Sequence, residues 1–184
     1  MSTFFIGLDS WIIQDGNYAD FRRGQEATFA VEFHPIRAAI SNVRRRSVKR
    51  IERSHYRINS RVVFASPDVW VLDFGIMSYQ KRTPPPFAKV GSWIAGEIYL
   101  GIDPFFYFED LHKLPGMPAL QYDWRIERIL LETTPWLSTK RPEGGTLMER
   151  DKTKESFREF ERTDAWEDDE RRGSYEMECE RIGK

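Results

Sequence analysis

The segment from Val90 to Leu111, VGSWIAGEIYLGIDPFFYFEDL, constrains the fold more than any other part of this chain. Apolar side chains recur in it at every second position, the period of a β-strand with one buried face. These residues are Ile94, Ile98, Leu100 and Ile102. Asp103 can cap a helix and Pro104 fits its first position. The segment therefore predicts a central strand, with Ile98 and Leu100 in the core, that leads directly into a short helix.

Five other segments have the period or the composition of strands. They span residues 3–14, 26–33, 56–65, 69–74 and 121–132. The turn Ser66-Pro67-Asp68 predicts that two of them form a hairpin. Pro35 is expected to end the second strand, and the stretch from Ile36 to Arg53 then becomes an exposed connection.

Six strands, with one short helix before the last of them, predict a mainly β domain over residues 1–137. We expect a single six-stranded barrel. Its order of elements is similar in outline to the OB-fold, a likeness of topology alone. Residues 138–184 differ in composition, since 25 of the 46 residues from Thr139 onward are charged. They predict a charged C-terminal arm, separable from the barrel and partly helical over residues 149–162.

Composition narrows the setting in which the protein works. The 28 Lys and Arg residues nearly balance 29 Asp and Glu residues, so the net charge of −1 does not favour a polyanionic partner over others. Cys179 is the single cysteine, which excludes an internal disulfide. No apolar run reaches the ~18–20 residues of a membrane span. Together with the absence of a signal-peptide pattern, these features predict a soluble cytoplasmic protein that does not bind membranes.

No motif for a reaction is present in the sequence. The chain has no G-x-S-x-G, H-E-x-x-H, phosphate-binding loop or G-x-G-x-x-G. His34, His55 and His112 lack the spacing of metal ligands. The acidic residues beside the predicted helix already have a capping role or a place on its polar face. The sequence therefore predicts a non-catalytic protein without cofactor or metal.

Two sets of residues are candidates for binding. The first set is aromatic: Trp93 and Tyr99 lie opposite Ile98 on the central strand and could share a sheet surface with Trp124, where they would stack on bases or anchor a protein partner. The alternative is that both faces of the sheet are covered. The second set is basic and consists of Arg44, Arg45, Arg46, Lys49 and Arg50. It could contact phosphates or be a solvated loop.

Two functions remain open from the sequence. The first is a protein-binding module, such as an adaptor or an inhibitor of a partner protein, in which the aromatic residues contribute more than the basic ones. The alternative is an OB-like barrel that binds single-stranded nucleic acid through the segment from Arg44 to Arg53. Loss of affinity with salt would favour the second.

Overall fold

The computed structural model describes residues 3–140 and 144–183 of the chain. These residues form twelve strands and two short α-helices. The strands are β1 (Thr3–Asp9), β2 (Glu26–Ile40), β3 (Ser47–Glu52), β4 (His55–Ala65), β5 (Trp70–Asp73), β6 (Met77–Gln80), β7 (Trp93–Ile102), β8 (Gln121–Glu132), β9 (Trp136–Lys140), β10 (Thr146–Arg150), β11 (Phe157–Phe160) and β12 (Ser174–Ile182). The helices are α1 (Ser10–Gln14) and α2 (Phe106–Glu109).

Ten of these strands form one main sheet, and β9 and β10 form a separate hairpin. The order in the main sheet is β11-β8-β12-β1-β7-β2-β6-β5-β4-β3, with additional pairings of β8 with β2 and of β7 with β4. The β8–β2 pairing closes one circuit of strands, β8-β12-β1-β7-β2, and the β7–β4 pairing closes a second, β7-β2-β6-β5-β4. The two circuits share the β2–β7 pair. The mainly β class predicted from the sequence is confirmed. The six-stranded barrel is not confirmed, because the main sheet has ten strands.

Strand β2 extends well beyond its predicted end. It is 15 residues long and pairs with β8 from Glu26 to Ala30 and with β7 from Val31 to Ile40. The register shifts between Pro35 and Arg37. A proline is tolerated at such a bulge because the ladder of hydrogen bonds is interrupted there. The prediction that the strand ends at Pro35 is therefore wrong, and its second half continues outward beside β7.

The C-terminal segment contributes two strands to the main sheet. Strand β12 lies between β1 and β8 and is antiparallel to both, and β11 pairs with β8. This differs from the predicted separable arm. Residues 149–162 contain the end of β10, a three-residue 3₁₀ turn and β11 in place of the expected helix. Strand β12 joins the main sheet because Tyr175, Met177 and Cys179 recur at every second position. Their side chains bury one face of β12 despite its many charges.

The core lies against the inward faces of the central strands. Ile98 and Leu100 are buried in it, which confirms their predicted place. Trp124 is also in this core, stacked on the ring of Phe29 with centroids 5.6 Å apart. A smaller cluster beneath α2 includes Ala30 and Leu120. Burial of such side chains stabilises a fold by about 1.5–3 kcal/mol each.

Strand β7 leads into a short helix as predicted, but the predicted cap is wrong: α2 begins at Phe106, and its N-cap is Phe105, with a φ of 77°, in place of Asp103. The buried Asp103 carboxylate accepts the backbone N–H of Tyr107, with N···O distances of 3.2 and 3.1 Å, and also accepts the hydroxyl of Tyr79. Burial raises the pKa of Asp103 to about 6, against these hydrogen bonds, which lower it. Asp103 thus fixes the start of α2 against β6.

Candidate functional site

Four strand segments on one side of the molecule form an outward-facing surface, which we call the basic face. From one edge to the other they are the end of β2, the first part of β7, the first part of β4, and β3. Directly paired residues point to the same side of a sheet, so side chains on these strands align in rows across it. The opposite side of β7 and β4 carries Ile94, Ile98 and Ile58, which are buried in the core.

One row of the basic face is charged and consists of Arg37, Glu97, Arg57 and Lys49. Glu97 lies between two arginines: its Oε1 is 2.6 Å from Nη2 of Arg37 and 2.8 Å from Nη2 of Arg57. Hydrogen bonds from Arg37 and then Arg57 hold the pKa of Glu97 below its usual range. Because one carboxylate serves two guanidinium groups, the row keeps an excess of positive charge.

The next row has small side chains and forms the floor of a groove. It consists of Ala39, Ala95, Asn59 and Ser47. Small residues between the long side chains of the charged row and the loop at residues 41–46 leave a depression of about 770 Å³. Its lining is mostly apolar, and the charges of Arg37, Arg57 and Lys49 lie along one side. The groove can therefore hold an extended chain with anionic groups on one side.

The loop at residues 41–46 crosses the basic face from β2 to β3 and forms a wall of the groove. Ser41 donates its N–H to the carbonyl of Trp93 at 2.8 Å. Asn59 donates from Nδ2 to the carbonyl oxygens of Val43 and Arg45, at 2.8 and 2.6 Å. Asn59 is only 8% exposed, and its Oδ1 has no hydrogen-bond partner among the described residues. The loop is thus tied to the sheet while its arginine side chains stay exposed.

Gly96 is the residue that lets β2 approach β7 closely beneath the groove. A Cβ atom at Gly96 would lie 2.4 Å from the carbonyl oxygen of Arg37. Real Cβ contacts essentially never approach so closely, and the clash would be with backbone. A side chain at this position would push the two strands apart and change the groove floor.

Trp93 lies at one end of the basic face, in a second depression of about 590 Å³. Arg44 from the loop and Arg61 from β4 line the same depression. Trp93 is half-buried. A planar group could therefore contact this ring beside two cations.

Tyr99 lies at the other end of the basic face and is held more firmly. Its ring centroid is 6.1 Å from that of His34 and 5.5 Å from that of His55. Its hydroxyl occupies the space that a side chain at Gly7 would need. Burial raises the pKa of Tyr99 well above its ordinary value. Tyr99 therefore supports the junction of β7 with β1, and it is half-buried, as Trp93 is.

Charge is strongly segregated along the chain. Residues 34–61 contain nine Lys and Arg residues and one acidic residue, Glu52. The cations are Arg37, Arg44, Arg45, Arg46, Lys49, Arg50, Arg53, Arg57 and Arg61. The whole chain has a net charge of −1, so the remainder is acidic. Four of these cations pair with carboxylates outside the segment: Arg37 and Arg57 with Glu97, Arg46 with Asp73, and Arg53 with Glu155. The positive charge that remains attracts anionic partners more than the net charge of the whole chain indicates.

The structure disperses the basic residues predicted as a binding set. Lys49 lines the groove, and Arg44 lines the depression beside Trp93. Arg45 is exposed in the loop. Arg46 pairs with Asp73 at 2.9 Å, and Arg50 lies over the ring of Phe5 on the other side of β3.

Trp124 does not join Trp93 and Tyr99 on the surface. It is 0% exposed, and its Nε1 donates to the carbonyl of Phe29 at 3.2 Å. The prediction that it contributes to binding is corrected by this burial. Its indole instead fills the core on the inner side of β8.

Sequence reasoning did not bring together Arg37, Arg57 and Glu97 as one site. They lie on three strands whose pairing joins residues 40 and 60 positions apart. The sequence contains a partial signal for this site. Cations are in excess on both sides of Ile51, and Arg57 and Arg61 lie on one face of a predicted strand. The pairing itself is not visible in the sequence.

Comparison with known proteins gives no relative: no family model, no curated protein and no solved structure matches this chain. Within the described residues, no helix is long and apolar enough to cross a membrane. Over residues 3–140 and 144–183, no group of three or more His, Cys, Asp or Glu side chains is placed to hold a metal ion.

Proposed function

We propose that this protein is a non-catalytic binding module whose basic face takes an acidic segment of a partner protein. The observation that carries the proposal is the groove of about 770 Å³, which is lined by three cations, Arg37, Lys49 and Arg57, and by one carboxylate, that of Glu97. An adaptor or an inhibitor needs such a surface and no reacting group.

The shape of the groove favours a peptide over a nucleic acid. No aromatic side chain is among the described residues that line it, and its floor consists of small side chains. Binding of single strands generally depends on aromatic rings on which bases stack. An extended peptide needs only a smooth floor and charged groups at its side.

Glu97 prepares the groove for a carboxylate. Glu97 lies between Arg37 and Arg57 and accepts hydrogen bonds from both guanidinium groups, which holds them in place. Charge-assisted hydrogen bonds between arginine and carboxylate are short and frequently bidentate. An acidic side chain of the partner would compete with Glu97 for these donors, or would use the donors that Glu97 leaves free.

A specific observation favours nucleic acid as a second candidate. Trp93 lies between Arg44 and Arg61, so a single base could stack there with its phosphates near both cations. For this second candidate, the closed circuits of strands form a barrel of OB-like outline. The pairing of β8 with β2 supports this outline, because it closes one of the circuits.

The protein would meet either partner in the cytoplasm. The single unpaired Cys179 supports this location.

The test is a pair of charge-matched variants. One variant changes Arg37, Lys49 and Arg57 to alanine, and the control changes the exposed Lys89, Lys113 and Lys154 to alanine. Fluorescence anisotropy measures the affinity for a labelled, end-blocked peptide Glu-Val-Glu-Val-Glu-Val-Glu at low and at physiological salt. We expect the groove variant to bind about tenfold or more weakly, and the control to change by about twofold or less.

The same measurement with oligothymidylate separates the two candidates. Tight, steeply salt-dependent binding of the oligonucleotide, lost when Arg44, Arg61 and Trp93 are changed to alanine, would replace the acidic-peptide proposal by the nucleic-acid one. Equal peptide affinities for the groove variant and its control would also overturn the acidic-peptide proposal.

A further inference from the structure

Strand β3 is an open edge of the main sheet. It is the last strand in the order, and among the described residues it pairs only with β4. All six of its residues are exposed. Its register with β4 is regular from Ser47 to Arg50, and the shift occurs only after Arg50. A regular, exposed edge can accept another strand.

The ladder around β4 shows which groups of β3 face outward. Leu100 donates its N–H to the carbonyl of Ser54, and Val62 donates to the carbonyl of Ser92. In an antiparallel pair, hydrogen-bonded positions alternate, so the even-numbered residues of β4 bond to β7. The odd-numbered residues then bond to β3.

In β3 itself, the residues that face those odd-numbered positions are Ser47 and Lys49, opposite Asn59 and Arg57. The N–H and C=O groups of Val48 and Arg50 therefore point away from β4. They form a short row of free main-chain donors and acceptors along the edge.

We propose that the acidic partner segment binds as an additional β-strand along β3, hydrogen-bonded to the main chain of Val48 and Arg50. This inference rests on the proposed function, because it names how the acidic segment is held. An added strand lies outside β3, so its alternate side chains stand beside Lys49 at the edge of the groove, and Arg57 lies one strand further in. The intervening side chains of the added strand face the inner side of the sheet. They lie next to the row that contains Ile58 and Val48.

Charge decides which strand can add to this edge. Lys49 and Arg50 lie on opposite faces of β3, so each face of the edge carries a cation. A second copy of β3 would bring like charges together, which is unfavourable across a strand pair. An acidic strand has the complementary charge. Cations on the edge thus select against self-association and in favour of an anionic segment.

The other free edge of the basic face is less suitable. It is the end of β2, whose register with β7 is regular from Arg37 to Ile40 but is interrupted directly before, between Pro35 and Arg37. Proline and bulges are features with which proteins block an edge. Strand β3 has neither between Ser47 and Arg50.

Amide hydrogen exchange followed by NMR tests the inference on the unaltered protein. The probe is the blocked peptide Glu-Val-Glu-Val-Glu-Val-Glu, and the control peptide has the same composition with its glutamates first and its valines last. We expect saturating alternating peptide to slow exchange at Val48 and Arg50 by about tenfold or more, because their N–H groups become hydrogen-bonded. The amide of Lys49, already bonded to β4, should change little.

The variant Val48→Pro supplies a second measurement, since it removes an outward N–H and leaves the bonds to β4 in place. Its affinity for the peptide should fall by about fivefold or more, whereas Val48→Ala should bind within about twofold of the unaltered protein. Circular dichroism establishes whether Val48→Pro is folded, and the exchange experiment stands if it is not.

The outcomes separate the two levels of the proposal. Peptide binding that leaves exchange at Val48 and Arg50 unchanged would overturn strand addition while the acidic-peptide function stands. Equal binding of both peptides would likewise show recognition by charge alone. Failure of both peptides to bind would overturn the proposed function and this inference together.

Discussion

Strands β12 and β3 are both rich in charged residues, yet the sheet treats them in opposite ways. Both edges of β12 are paired, with β1 and β8, whereas β3 pairs with β4 alone among the described residues. Two carboxylates of β12 are matched by its neighbours: Glu180 pairs with Arg125, and Glu178 lies 3.6 Å from Arg128. The two cations of β3, Lys49 and Arg50, lie among further cations, and its one acidic residue, Glu52, is at its end. Within the described part of the chain, strand β3 thus differs from β12 in having a free edge and cations without an acidic partner.

Burial follows the same division. One face of β12 carries Tyr175, Met177 and Cys179, all fully buried in the core. Strand β3 buries none of its six residues. The free energy of folding should therefore depend strongly on β12 and weakly on β3.

Removal of β12 should have the largest effect. A chain that ends at Gly173 leaves the neighbouring edges of β1 and β8 open and deletes three buried side chains. We expect no cooperative unfolding transition in a urea melt followed by circular dichroism. The control changes Arg44, Arg45 and Arg46 to serine and should unfold cooperatively. A truncated chain that melts as the full chain does would show that the core does not need β12.

The second largest effect on the free energy of unfolding concerns Ile98, on the inner face of β7 beneath the basic face. Ile98 is 1% exposed, so Ile98→Ala should lower the free energy of unfolding by about 2–5 kcal/mol. Val48 on β3 is 37% exposed, and Val48→Ala should change it by about 1 kcal/mol or less. Denaturant melts measure both. Similar losses in the two variants would mean that β3 is more deeply packed than its exposure indicates.

The smallest effect depends on pH and involves a contact between the two compared regions. Glu176 of β12 accepts a hydrogen bond from the hydroxyl of Ser54, in the turn between β3 and β4. Burial raises the pKa of Glu176 from 4.5 to about 7. The native state thus retains a proton that the unfolded chain releases, and stability falls as pH rises from 4.5 to about 7.

Glu176→Gln removes this dependence and keeps an acceptor for Ser54. At about pH 8 the variant should be more stable by about 1–3 kcal/mol, and at about pH 4 the two proteins should be nearly equal. Thermal melts across this range measure the difference. A variant that is less stable than the unaltered protein at about pH 8 would show that the carboxylate is favourable in its charged form.

The sequence predicts strands where the period of two is local. Local sequence patterns predict the segments that form β4, β5, β7 and β8, the hairpin between the first two, and a short helix after Asp103. The C-terminal strands were missed because the high charge of the segment outweighed the period of Tyr175, Met177 and Cys179. That period was present in the sequence and could have been used.

The candidate site was less predictable than the fold. Trp93 and Tyr99 were placed correctly on one face with Glu97, since alternation along a strand is a local property. The grouping of Arg37 and Arg57 around Glu97 depends on which strands pair, and pairing is decided by contacts far apart in the chain. Whether a tryptophan such as Trp124 is buried also depends on such contacts.

The position of β7 between β2 and β4 has a consequence for the order of folding. Strand β7 follows both of them in the chain by tens of residues, so β2 and β4 cannot form their final pairs on these edges until β7 is available. Contacts over such separations form slowly, typically within milliseconds to seconds. During synthesis the two unfilled edges stay open until Ile102 has left the ribosome, and a nascent chain halted before that point would be prone to aggregate.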